Sequence, residues 1–280
     1  MFLTERTSKD LGWDELKDRI SAFCQSEPGR DDCRSMPFLE TPAEIQAELS
    51  SVMEACDVLS RRERPSLGDI TDVTPDLARA AKGGTLAAQP LLNVARLATT
   101  SNLICGFLYR RREHYPAITA RYGGIDRVED LAGEVRRVLH DTGDVKDSAS
   151  PVLAELRSQM LRLREGIIAR FREICSRPLV RDMLQDDYYT IRNGRYVIPV
   201  KVSFKNQVKG IIHDSSQTGE TLFIEPVEFI EPGNDIKICE SRIDDEIERL
   251  LAELTRITAE AAGTLRLNLK VLRSLDVLFA

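Results

Sequence analysis

The side chains best placed by type and spacing to do chemistry are two arginines around a turn, Arg192-Asn193-Gly194-Arg195. Asn-Gly is the strongest short signal for a two-residue hairpin, and such a turn sets its flanking residues opposite each other on paired strands. Like charges in that relation repel by roughly a few tenths of a kcal/mol unless something anionic meets them. Between Asp187 and Asp214 the chain holds no acidic residue, while Lys201, Lys205 and Lys209 add positive charge. Alternation puts Arg195, Val197, Pro199 and Lys201 on an outward face and Tyr196, Ile198 and Val200 on an inward one. Guanidinium forks and ammonium groups so arranged suit a phosphate backbone, gripped without reading bases. The alternative is an ordinary solvated hairpin. From Asp214 to Asp235 every charge is acidic, Glu220, Glu225, Glu228 and Glu231 included. The segment is therefore bipolar, and its binding is expected to be weak, with a shallow salt dependence.

His213-Asp214-Ser215-Ser216 has the residue types of a hydrolase but not the spacing. Neighbours on a strand point to opposite faces, so His213 and Asp214 do not converge on one serine. The better reading is turn chemistry at Asn193, Gly194, Asp214, Ser215, Ser216 and Gly219, with side chains bonding local backbone and glycine taking positive φ. No catalytic residue and no metal ligand is assigned. The six cysteines (Cys24, Cys33, Cys56, Cys105, Cys175, Cys239) form no C-x-x-C pair, which suits free thiols in a reducing cytoplasm. Cys24 and Cys33 could approach each other, but nothing completes a zinc site. His114 and His140 are isolated, and Gly83-Gly84-Thr85 and Gly123-Gly124 lack the strand-to-helix setting of a phosphate cradle. No G-x-x-x-x-G-K-[ST] loop occurs, so no cofactor is assigned to this chain.

The elements that must carry this hairpin are helical. Apolar residues are 42% and charged residues 30% of the chain, with few aromatics, a balance that favours exposed helix. The net charge of −6 gives no global sign of nucleic acid. No apolar run of membrane-spanning length is apparent, and MFLTERTSKDLGWDELKDRI has no signal-peptide core but soon becomes an amphipathic helix. Leu16, Ile20 and Phe23 mark that helix. Ile45, Leu49, Val52, Met53, Cys56 and Leu59 mark a second, opened by Thr41-Pro42 as N-cap and first residue. PSLGDITDVTP reads as a loop, and Gly83-Gly84-Thr85 as the end of one helix and the start of the next. Residues 87–112 and 125–140 predict two more helices.

Beyond these, Leu153, Leu156, Met160, Leu163, Ile167 and Ile174 alternate in threes and fours like a coiled-coil stripe, with Phe171 beside the seam. Arg177-Pro178 and a turn end it. A second stripe runs Ile236, Ile243, Ile247, Leu250, Leu254, Ile257 and Ala261, the natural antiparallel partner of the first. Between them, residues 188–192, 195–201, 207–213 and 221–225 predict four short strands. The fold is thus expected to be mainly α: an all-α core over 1–148, an outgoing helix in 149–185, a small inserted antiparallel β domain in 186–232 and a returning helix in 233–280. The closing residues, SLDVLFA, still have helical rhythm, so the chain is expected to stop inside a structural unit.

IRNGRYVIPVK and KGIIHDSSQTGETLFIEP resemble the clamp of the second bacterial type of MutS protein, the branch lacking the mismatch-recognition domain. HDTGDVKDSASPVLAELR is similar to the start of that family's long lever helix, LGDITDVTPDLARAAKGGTL to its core, and LDVLFA to its passage from lever to ATPase domain. The resemblance implies a cytoplasmic bacterial homodimer that binds branched or double-stranded DNA and restrains homologous recombination. Some members act instead on collided ribosomes, whose RNA phosphates the same basic residues could meet. It also implies that ATP and Mg are bound beyond the lever and that an Smr nuclease domain lies further on. On that reading the present chain is non-catalytic and monomeric, with no membrane partner. A third possibility is a purely structural coiled-coil dimerisation module.

Overall fold

The structure is a computed structural model that describes residues 7, 10–68 and 70–280. The opening residues of the N-terminal stretch, and Asp69 in the PSLGDITDVTP loop, lie outside them. The chain divides into two compact units: Met1–Lys146 with Leu250–Ala280, and Asp147–Arg249. The last helix belongs to both.

The first unit is all helical. Its helices are α1 (Trp13–Ser21), α2 (Glu27–Arg34), α3 (Pro42–Ser60), α4 (Thr74–Ala81), α5 (Ala88–Arg111), α6 (Pro116–Tyr122) and α7 (Leu131–Val138), joined by the end of α10 (Val227–Leu278). Thr41 caps α3 in a reciprocal box with Glu44, and Pro42 supplies the preset φ of a first residue. The central helix is α5, which buries Leu91, Leu92, Val94, Leu97, Ile104 and Leu108 among others. It is long and apolar enough to cross a membrane, contrary to the sequence reading, but 67% of its apolar window is buried inside the fold. That burial is what a core helix needs.

Four sequence expectations shift here. Phe23 falls outside α1 and is exposed, as is Leu16. The apolar stripe of α3 also points outward. The helix expected over 125–140 forms only from Leu131, because two asparagines take the backbone groups of Asp126 and Val128 and Asp130 adopts a positive φ of 59°. Asn268 accepts from the Asp126 N–H and donates to its carbonyl, and Asn102 does the same for Val128. Side-chain amides thereby satisfy backbone groups that a helix would otherwise pair. Likewise α5 starts at Ala88, not at Thr85, since the Leu86 N–H is taken by Thr255 Oγ1 at 3.0 Å.

The second unit is a helical pair with a small sheet. α8 (Pro151–Ser176) runs antiparallel to the first part of α10: Ser150 meets Glu246, the Leu156 carbonyl meets Cys239, and Arg170 meets Glu228. Leu156, Met160, Ile167 and Ile174 form the seam, and Phe171 lies within it instead of beside it. A short helix α9 (Pro178–Met183) follows where a turn was expected. Pro232 sits inside α10 and lacks the N–H that would pair with the Glu228 carbonyl. Arg170 Nη1 reaches that carbonyl instead, at 3.3 Å.

The sheet contains β1 (Thr190–Arg192), β2 (Arg195–Lys201), β3 (Gly210–Ser215) and β4 (Thr221–Pro226), all antiparallel, in the order β1-β2-β4-β3. Residues 195–197 of β2 pair with β1, and residues 198–201 pair with β4. Its inward residues Tyr196, Ile198 and Val200 join Ile224 and Phe229 in one core with the helical seam. The expected outward face is not open, because Val197 and Pro199 are buried as well. Pro199 is tolerated in mid-sheet because a residue's N–H and C=O point the same way along a strand, and its C=O faces Gln185, away from β4.

Candidate nucleic-acid interface

At the hairpin tip Asn193 and Gly194 both have positive φ, 51° and 72°, the conformation a two-residue primed turn requires. Arg192 and Arg195 consequently sit directly opposite each other. The tip is folded back on its own unit. Asn193 Nδ2 donates to the His213 carbonyl at 3.2 Å, and a Cβ on Gly194 would come within 2.9 Å of Lys237 Nζ.

The anions that meet the two arginines come from the same chain. Arg192 lies 4.5 Å above the centre of the Phe223 ring and 3.9 Å from Asp214 Oδ2. Arg195 Nη1 donates to Asn234 Oδ1 at 2.7 Å and sits 3.6 Å from Glu225 Oε1. Lys201 donates to the Asp182 carbonyl at 3.1 Å. Lys205 and Lys209 differ from these three: both are exposed, and neither has an ion-pair partner among the described residues. They lie within the connection between β2 and β3. The five residues therefore do not form one cluster. Arg192 and Arg195 belong to the turn, whereas Lys201 lies six residues along β2, roughly 20 Å away at about 3.3 Å per residue.

The residues assigned to turns bond local backbone. Asp214 Oδ1 accepts from the Ser215 N–H, Ser216 Oγ from the Thr221 N–H, and Gly219, at φ 73°, donates its own N–H to the Ser216 carbonyl. Sequence reasoning missed the partner of His213. A register shift between Ile212 and Asp214 makes His213 the extra residue of a β-bulge. Its Nε2 comes 2.7 Å from Glu225 Oε2, on a carboxylate only 1% exposed. That ring nitrogen is aimed at a glutamate and not at a serine. A glutamate directly after the apolar run Leu222-Phe223-Ile224 of β4 is the one available signal. Among the described residues no three His, Cys, Asp or Glu side chains gather as a metal site.

No protein-family model matches the chain. Comparison with curated proteins is decisive: the chain is 34% identical over 276 residues, 99% of its length, to the endonuclease MutS2 of an Anaeromyxobacter species. Its likeness to MutS2 runs through nearly the whole of the chain. It is also 32% identical to the MutS2 of Symbiobacterium thermophilum over 98% of its length, and 31% identical to that of Bacillus velezensis over 99%. It spans about a third of the length of these MutS2 proteins, 34%, 34% and 36% in the three cases. The alignment therefore takes in both units of this MutS2-like chain, the β hairpin and both long helices included.

Proposed function

We propose that this chain is a non-catalytic, DNA-engaging part of a MutS-family protein, in which the β domain touches the backbone of branched or double-stranded DNA. The observation that carries the reading is the pair Lys205 and Lys209, exposed, without an ion-pair partner among the described residues, and set within an acid-free stretch of 26 residues, 188–213. Ammonium groups free of internal carboxylates are the ones that can release counterions from a phosphate backbone. Arg192 and Arg195 would contribute only by exchanging Asp214 and Glu225 for phosphate, so in this reading they shape the hairpin first and bind second. Homodimer formation, ATP hydrolysis with Mg, nuclease action and restraint of recombination belong, on the same proposal, to the longer proteins of this kind.

Fluorescence anisotropy of the chain with a four-way junction, a duplex and a single strand, across a salt series, tests the reading. Affinity that falls as salt rises supports it. Absence of binding at low salt sinks it for DNA, and competition with purified ribosomes then shows whether RNA phosphates take that place.

A further inference from the structure

The asparagines of the chain differ in what becomes of the backbone N–H that follows each. Asn93 and Asn102 lie in α5, Asn234 and Asn268 in α10, and there the next N–H pairs along the helix. After Asn206, the Gln207 N–H donates to the Phe204 carbonyl at 2.9 Å. After Asn193, the Gly194 N–H has no hydrogen-bond partner among the described residues. Gly194 has no side chain to shield that nitrogen, and both residues of the turn are exposed. Cations surround the place. Arg192 and Arg195 flank the turn, and a Cβ on Gly194 would come within 2.9 Å of Lys237 Nζ, itself paired with Glu240 at 3.0 Å. A backbone N–H beside positive charge loses its proton more readily, because that charge stabilises the anion.

We propose that Asn193 is a site of spontaneous deamidation. The Gly194 nitrogen gives its proton to hydroxide and attacks Asn193 Cγ. A bond forms between that nitrogen and Cγ, the Cγ–Nδ2 bond breaks, and ammonia leaves with a proton taken from water. The cyclic imide then takes up one water. Addition at the side-chain carbonyl gives aspartate, addition at the backbone carbonyl gives isoaspartate, and no oxidant or cofactor is consumed.

Closure of the imide needs Asn193 to leave its left-handed conformation, in which a ψ of about +30° turns its Cβ away from the next nitrogen. Little holds it there. The side chain has one hydrogen bond, from Nδ2 to the His213 carbonyl at 3.2 Å, at an exposed position. The opening is local, whereas every other asparagine needs a helix or a bonded turn to open first. Conversion in the folded chain is therefore slower than in a free peptide and faster than at any other asparagine.

The product changes the tip in two ways. A carboxylate replaces an amide between Arg192 and Arg195, and the donor to the His213 carbonyl is lost. Isoaspartate also adds a carbon to the backbone, which a two-residue turn cannot absorb without disturbing the pairing of β1 with β2. None of this depends on the DNA-engaging reading.

Peptide mapping by mass spectrometry is the test, on the folded chain incubated in mildly alkaline buffer beside a synthetic peptide of residues 188–199. Asn193 should be the first asparagine to gain the mass of an acid in place of an amide, with isoaspartate among the products and a rate that rises with pH. Lys237→Gln should slow conversion by about threefold or more with the melting temperature unchanged, and Lys237→Arg should keep the parent rate. An Asn193 that stays intact while the free peptide converts completely overturns the proposal, as does earlier conversion of any other asparagine. Conversion unaltered by Lys237→Gln overturns the part given to the lysine.

Discussion

His213 Nε2 and Glu225 Oε2 lie 2.7 Å apart across a β-bulge, and Glu225 also stands 3.6 Å from Arg195 Nη1. This carboxylate thus joins β3, β4 and the first residue of β2. Hydrogen bonds to a buried charged group are strong, and removing one member strands the others. Glu225→Ala should cost about 1–3 kcal/mol. Hydrogen exchange should show the loss concentrated in β2–β4, with the first unit unaffected. Uniform loss across both units would contradict this role.

Much of this arrangement is legible in the sequence where the chemistry is local. Asn193-Gly194 needs only its own backbone preference, Thr41-Pro42-x-Glu44 only one helical turn, and the seam from Leu153 to Ile174 only its period. What stays hidden depends on partners far along the chain. Nothing near His213 announces Glu225, because the bulge that turns His213 toward it is a property of the β3–β4 pairing. The stripe on α3 shows that one face is apolar, not that Glu54 and Asp57 hold the opposite side to α6.

Glu246 offers a pH-dependent test. Hydrogen bonds from Arg249 and from the Ser150 hydroxyl hold its carboxyl down from 4.5 to about 2. A folded-state value below the unfolded one means stability that is fully present above pH 4.5 and is lost as pH falls toward 2. Glu246→Gln should therefore melt below the parent protein at pH 7. The gap between the two melting temperatures should narrow steadily from pH 4.5 downward. A gap independent of pH would contradict the assignment.

Asp276 makes the least negotiable contact of the first unit. Fully buried, it accepts from the Gln25 N–H at 2.9 Å and from the Ser26 N–H and hydroxyl at 2.8 and 2.7 Å. A Cβ on Gly29 would collide with its Oδ2. Gly29→Ala should lower stability by about 1–3 kcal/mol, the usual cost of overpacking, in spite of alanine's better helix propensity. Urea titration reads this directly, and a stabilised variant would show that the carboxylate can give way.

The thiols divide by burial. Burial, helped by the charge of Asp276, pushes Cys24 up to about 12, and Cys33 is raised by burial too. Cys56 is exposed. With a disulfide reagent at pH 8, Cys56 should react first, while Cys24 and Cys33 wait for denaturant, since only the thiolate attacks. Fast labelling of Cys24 in the folded protein would contradict the packing of α1 and α2.

The most direct test of the central claim compares two charge variants in the DNA-binding assay. Lys205→Glu/Lys209→Glu should fold like the parent, weaken junction and duplex binding alike by about tenfold or more, and reduce the slope of log K against log salt by about two. Arg192→Ala/Arg195→Ala should also weaken binding, but together with a lower melting temperature, because those arginines are bound to Asp214, Glu225 and Asn234. If the lysine variant binds DNA as tightly as the parent, with the same salt slope, the β domain does not grip the backbone through this loop.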